Sequence, residues 1–167
     1  MRITYQHRFA APVDRVVAML RDEAFARRRA AAAGAADADV AIDLADDGSF
    51  TVAIRRDVPT SSIPAEFRSF VGSTIVVRYT EAWTAPSPDV PGREGTFAVE
   101  VVGAPGHARG SLVLTADGDH TGFGLAGDLE AKVPLVGALV EKAVAEAIEK
   151  SLPLELAAAD AWLAEHP

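Results

Sequence analysis

The chain contains no cysteine. Disulfide staples, thiolate metal sites and a thiol nucleophile are excluded with it. Positive charge is also scarce: 16 Lys and Arg stand against 24 Asp and Glu, for a formal net charge of −8. That balance disfavours nucleic acid as a partner, because phosphate binding needs clustered Lys and Arg. No apolar run approaches the roughly 18 residues of a membrane span. The longest candidate, 133–148, is broken by Glu141, Lys142 and Glu146, so no transmembrane segment is expected. The opening residues Met1-Arg2-Ile3-Thr4-Tyr5-Gln6-His7-Arg8 alternate polar and apolar rather than running into an apolar core. No secretory signal is read there, and a cytoplasmic location is the expectation. The compact catalytic motifs are missing as well: there is no HExxH, no GxSxG elbow, no Walker motif and no calcium loop. His7, His107, His120 and His166 lack metal-ligand spacing, and no metal or cofactor is implied. Gly122-Phe123-Gly124-Leu125-Ala126-Gly127 matches GxGxxG formally. A dinucleotide fingerprint needs a helix opening at its end, whereas this run follows a hairpin turn inside a strand. Its glycines are read as places where a sheet bends or a helix approaches.

What is present is alternation. The 167 residues, 49% of them hydrophobic, suffice for one domain with a real core, and residues 1–167 are read as a single unit. Ile3, Tyr5, His7 and Phe9 share one face of a first strand. Pro12 suits the first turn of a helix whose Val13, Val16, Val17 and Leu20 form one buried stripe. Asp22 caps a second short helix, ended near Gly34. From residue 40 short strands follow one another across tight turns at Asp46-Asp47-Gly48, Gly103 to Gly106 and Asp117-Gly118-Asp119. Pro64 to Phe70 is read as a short helix or lid, with Phe67 and Phe70 as lid residues. The last third returns to helical spacing through Val136, Leu139, Val140, Ala143, Val144, Ala147 and Ile148. Pro153 predicts a kink or break near residues 150–153. The pattern is α+β: an antiparallel meander, not βαβ units.

Three features bear on function. The small residues Ala143 and Ala147 are expected to face large sheet residues, leaving either a void for a ligand or a core filled by aromatic rings. Glu81 alternates with Tyr79 and Trp83 on a face that reads as buried. A buried carboxylate is paired or neutralised, and Arg56 or His7 is the expected partner; a bulge would instead turn Glu81 to solvent. Arg27-Arg28-Arg29 reads as a solvated helix face, with an anionic ligand or lipid headgroup as the alternative.

The order of strand, two short helices, meander and long helix resembles the START-like superfamily, also called SRPBCC. The matching pieces are Ile3 to Phe9, then Ala10-Ala11-Pro12-Val13-Asp14-Arg15-Val16, and Val133-Pro134-Leu135-Val136-Gly137 followed by Val140, Val144 and Leu154. The resemblance spans essentially the whole chain and is closest to an uncharacterised branch. It implies a helix-grip fold: a curved antiparallel sheet of about seven strands around a long C-terminal helix, with two short helices after the first strand. It further implies a cavity for a lipid-like or polyketide-like molecule, held as carrier or sensor. By strand alternation the lining would be Tyr5, His7, Val52, Ile54, Tyr79, Glu81, Trp83, Phe97, Val99, Leu112, Phe123 and Leu125, with Leu139, Ala143 and Ala147 from the helix. A one-residue slip would move a strand's set to the other face. Two alternatives stand beside the binder. One is a cyclase, dehydratase or hydrolase using Glu81 or His7 as acid/base, with Tyr5 or Tyr79 orienting the substrate. The other is a ligand-free interaction module, including a homodimer.

Overall fold

The computed structural model describes residues 1–59, 74–102, 106–132 and 137–167; the expected lid at 64–70, with Phe67 and Phe70, lies outside them. Strand β1 (Arg2–Phe9) leads to helices α1 (Val13–Leu20) and α2 (Glu23–Ala32). Strands β2 (Asp39–Leu44), β3 (Phe50–Pro59), β4 (Thr74–Trp83), β5 (Gly92–Val101), β6 (Gly106–Asp117) and β7 (His120–Ala131) follow, and α3 (Gly137–Glu165) closes the chain. The strands form one antiparallel sheet in the order β1-β7-β6-β5-β4-β3-β2. The two short helices thus carry the chain from one sheet edge to the other.

Local chemistry accounts for the breaks. Pro12 stands just outside α1, at its N-cap, with extended backbone (ψ 159°). The Asp22 carboxylate accepts from the backbone N–H groups of Ala24 and Phe25 and starts α2. Gly48 and Gly118 take positive φ in the β2–β3 and β6–β7 turns, conformations that cost a side-chain-bearing residue about 1 kcal/mol or more. α3 runs through Pro153 as one helix of 29 residues, about 44 Å long. The expected break near residues 150–153 is therefore not there: Pro153 is exposed, and the helix is held from outside by packing along its other face. Leu156, Ala159 and Leu163 are buried in that face.

The sheet's inward row runs Val52, Glu81, Phe97, Gly110, Gly127, Ile3 across six strands. Two consecutive glycines leave room for a neighbour's side chain. A Cβ on Gly127 would lie 2.7 Å from the Phe97 ring and 2.6 Å from the Arg109 carbonyl oxygen, so the ring lies across the glycine pair. The GxGxxG run is thus sheet, and its last glycine serves packing. Curvature follows from a simple length. Ile3 and Ile54 sit five strand steps apart, about 24 Å along a sheet, yet both line one cavity of about 100 Å³. The sheet must curl to bring them together. No helix among the described residues is long and apolar enough to cross a membrane.

Candidate functional site

Two structures meet beneath α3: a buried polar cluster and a cavity. The cluster centres on Glu81, only 3% exposed. Arg29 of α2 donates from Nη1 to Glu81 Oε1 at 2.7 Å, and the Tyr79 hydroxyl donates to the same oxygen. Trp83 Nε1 donates to Oε2 at 2.9 Å. The Arg29 guanidinium carbon also lies 5.5 Å from the Tyr79 ring centroid and 5.9 Å from that of Phe25. Strand alternation puts Tyr79, Glu81 and Trp83 on one face, as expected. The partner is not Arg56 or His7 but Arg29.

That finding overturns the reading of Arg27-Arg28-Arg29 as one solvated face. α2 buries Phe25, Ala26, Arg29 and Ala30. Arg27 faces solvent and pairs with Glu23 one turn earlier, while Arg28 reaches Glu165 on α3. Only Arg29 turns inward. Three consecutive cations on a helix point 100° apart, so they cannot share one environment.

The electrostatics follow from the contacts. Burial opposes ionisation of Glu81, but the Arg29 charge and the hydrogen bonds from Tyr79, Trp83 and Arg29 outweigh it and hold the carboxyl below its ordinary pKa. Burial and the adjacent Glu81 charge push the Tyr79 hydroxyl well up. Burial works against the charge on Arg29, and the Glu81 carboxylate more than restores it. The Glu81 carboxyl, expected as an acid/base candidate, has both oxygens engaged by Arg29, Tyr79 and Trp83. His7 belongs elsewhere. It stands four strand steps from Glu81, and its Nε2 lies 3.0 Å from Asp160 Oδ1 on α3. The two acid/base candidates are each held by a different helix.

The cavity of about 100 Å³ lies beside this cluster. Its sheet wall is Ile3, Ile54, Arg56, Val77, Tyr79, Phe97, Val99 and Leu125; its helix wall is Ala30, Ala33, Ile148, Ser151, Leu152 and Glu155. Of the residues expected to line it, Ile54, Tyr79, Phe97, Val99 and Leu125 do so. Val52, Trp83 and Leu112 are buried in the core, and Tyr5 and Phe123 are packed against it. Ala147 is exposed, and its neighbour Ala145 is buried. The helix meets the cavity through Ile148, Ser151, Leu152 and Glu155, not through Ala147. The side chains of Leu139 and Ala143 lie outside the described residues. Arg56 was legible, since it extends the inward alternation Phe50, Val52, Ile54. Glu155 falls on the helical spacing Ile148, Ser151, Leu152, Glu155, Leu156, a signal that its charge obscures.

A wider depression of about 600 Å³ lies on the sheet's outer side around Arg78, Ala98, Glu100, His107 and Arg109. Its charges answer one another across the strands, with Arg78 3.8 Å from Glu100 and His107 3.8 Å from Glu130. Its apolar lining is Ala98, Val101, Val102 and Ala108, beside these charged side chains.

The family model described as "Protein of unknown function (DUF2505)" matches residues 4–163. The chain belongs to this family. Among curated proteins none matches the DUF2505 chain in sequence. Solved structures match its fold. The Zhui aromatase/cyclase from Streptomyces sp. R1128 is 15% identical, covering 98% of this chain and 93% of its own, with a TM-score of 0.62. A START superfamily protein from Mycobacterium smegmatis is 15% identical over 99% of both chains, with a TM-score of 0.53. Norcoclaurine synthase from Thalictrum flavum, solved in complex with dopamine and hydroxybenzaldehyde, is 14% identical over 100% of this chain and 88% of its own, at 0.55. At these identities the likeness is one of fold. The DUF2505 chain has the START-like, helix-grip architecture.

Proposed function

We propose that this protein, acting as one START-like domain over residues 1–167, binds a hydrophobic or aromatic small molecule between sheet and α3, as carrier or sensor. The observation that carries the reading is the cavity itself. Apolar side chains from β1, β3, β4, β5 and β7 converge with Ile148 and Leu152 on one unfilled space, where an interior normally packs without voids. Its size sets the ligand. An apolar space on the order of 150 Å³ accommodates a benzene-sized molecule, so a cavity of about 100 Å³ admits one ring or a short alkyl group. A lipid tail or a polyketide requires α3 to move outward. A single-ring ligand is in keeping with the norcoclaurine synthase complex, which holds dopamine and hydroxybenzaldehyde.

The cyclase-type alternative is the less supported reading, because both Glu81 oxygens accept hydrogen bonds within the core and His7 stands apart from it, paired with Asp160. The ligand-free interaction module required a filled interior.

The test is to fill the space. Val99 lines the cavity and is only half-buried. Val99→Phe is expected to abolish binding of toluene, read as backbone amide shift changes in a nuclear magnetic resonance titration, while the unliganded protein keeps a dispersed spectrum. Toluene shifts that persist unchanged in Val99→Phe would place the binding elsewhere and sink the proposal.

A further inference from the structure

The wall of the cavity carries two charged side chains that do not bond each other. Arg56 continues the inward row of β3, and among the described residues its one side-chain hydrogen bond, Nη1 to the Ala33 carbonyl oxygen, is long at 3.5 Å. Glu155 faces it from α3, one turn beyond Ser151, half-buried. Among the described residues Glu155 takes no hydrogen bond and no ion-pair partner, Arg56 included. Two other inward charges of the fold are paired, Arg29 with Glu81 and His7 with Asp160. Burial raises the Glu155 pKa; the charges of Arg29 and Arg56 pull it down, Glu81 pushes it up, and the result stays above the ordinary value. Among the described residues the Glu155 carboxylate has no donor, and the Arg56 guanidinium has no acceptor besides the Ala33 carbonyl oxygen. A donor on one wall and an acceptor on the other frame a single polar gap at the edge of an apolar space.

We propose that the gap between Arg56 and Glu155 seats the polar head of the ligand, and that this head is neutral and carries both an acceptor and a donor, as a primary amide does. The proposal rests on the cavity reading above. An anionic head would accept from Arg56 but meet the like charge of Glu155. A cationic head would pair with Glu155 but meet Arg56. Like charges in a partly desolvated site disfavour binding strongly. A neutral head that both accepts and donates satisfies the two walls at once: its carbonyl accepts from Arg56, and its N–H donates to Glu155. Hydrogen bonds to ionised groups are the strong ones. The body behind the head is apolar and about one ring in size, fitted against Phe97, Val99 and Leu152.

Four single-ring probes that differ only in the head test this: toluene, benzamide, benzoate and benzylamine. Dissociation constants come from amide-shift titrations of the full chain at neutral pH. Benzamide is expected to bind at least about tenfold more tightly than toluene, the gain from even one of its two charge-assisted hydrogen bonds, and more tightly than either charged probe. Glu155→Gln removes the like charge and is expected to admit benzoate. Arg56→Gln is expected to admit benzylamine. Toluene is titrated into both variants as well, and each head is compared with toluene in the same variant, which keeps the head and the body separable. Toluene matching or exceeding benzamide, with the ranking unmoved in both variants, would overturn the head assignment and leave the cavity reading standing. If none of the four probes shifts any cavity residue, both readings fall.

Discussion

Replacing Arg29 with methionine is expected to destabilise the protein by about 3–5 kcal/mol, the usual cost of leaving a buried carboxylate without its counter-charge. Arg29 is 8% exposed and Glu81 3%, so water cannot take the place of the guanidinium. Denaturant unfolding measures the loss. Arg27→Ala, on the solvent side of the same helix, should leave the midpoint where it is. The pH dependence separates the two states of Glu81. In the native protein its pKa lies below the unfolded value. The stabilisation is therefore complete above the unfolded carboxylate range and is lost as pH falls through the depressed native pKa. Without Arg29, burial is opposed only by the hydrogen bonds from Tyr79 and Trp83, and the Glu81 pKa rises. The deficit of the variant therefore shrinks as the pH is lowered through the carboxylate range. A deficit that is constant with pH would mean that Arg29 acts through packing on Phe25 and Tyr79 and not through its charge.

Phe97→Ala is expected to cost a further large amount, about 3–5 kcal/mol. The ring is buried at 4% and lies over Gly110 and Gly127. Neither glycine has a side chain that can swing into the space, so the site collapses little, which places the cost in the upper part of that range. The same change joins the vacated volume to the ligand cavity, which Phe97 lines. A two-ring probe such as naphthalene should then bind the variant and not the parent protein. If naphthalene bound both equally, the cavity would already open wider than its resting shape, and Phe97 would not set its size.

Much of this was legible in the residues. The strand faces followed from period-two alternation, including the inward placement of Tyr79, Glu81, Trp83 and Phe97. The long helix followed from its three- and four-residue repeat. Its rotation did not, because Leu139, Val140, Val144 and Ile148 are spread over about half the helix circumference, with the small Ala143 and Ala147 among them. The break expected at Pro153 failed because a helix packed along one side tolerates one lost hydrogen bond on the other. Arg29 was hidden by its neighbours: three arginines in a row look like surface, and only the i, i+4 relation of Phe25 and Arg29 shows that one of them turns in. The cavity's polar wall was half legible, through Arg56 at the end of an apolar row. Glu155 was missed because a carboxylate on a helix is usually solvated.

The strand order has a consequence for synthesis. β1, translated before the other six strands of this sheet, has only β7 as a sheet neighbour among the described residues, in the register Arg2 to Asp128 through Phe9 to Thr121. Its partner is translated about 120 residues later. At ~5–20 residues per second, β1 waits on the order of 6–24 s with both backbone edges open. Arg2, Thr4, Gln6 and Arg8 alternate along that waiting segment, and charged residues on a strand discourage pairing with a foreign chain. Their outward row thus protects the nascent chain before the sheet that needs β1 exists.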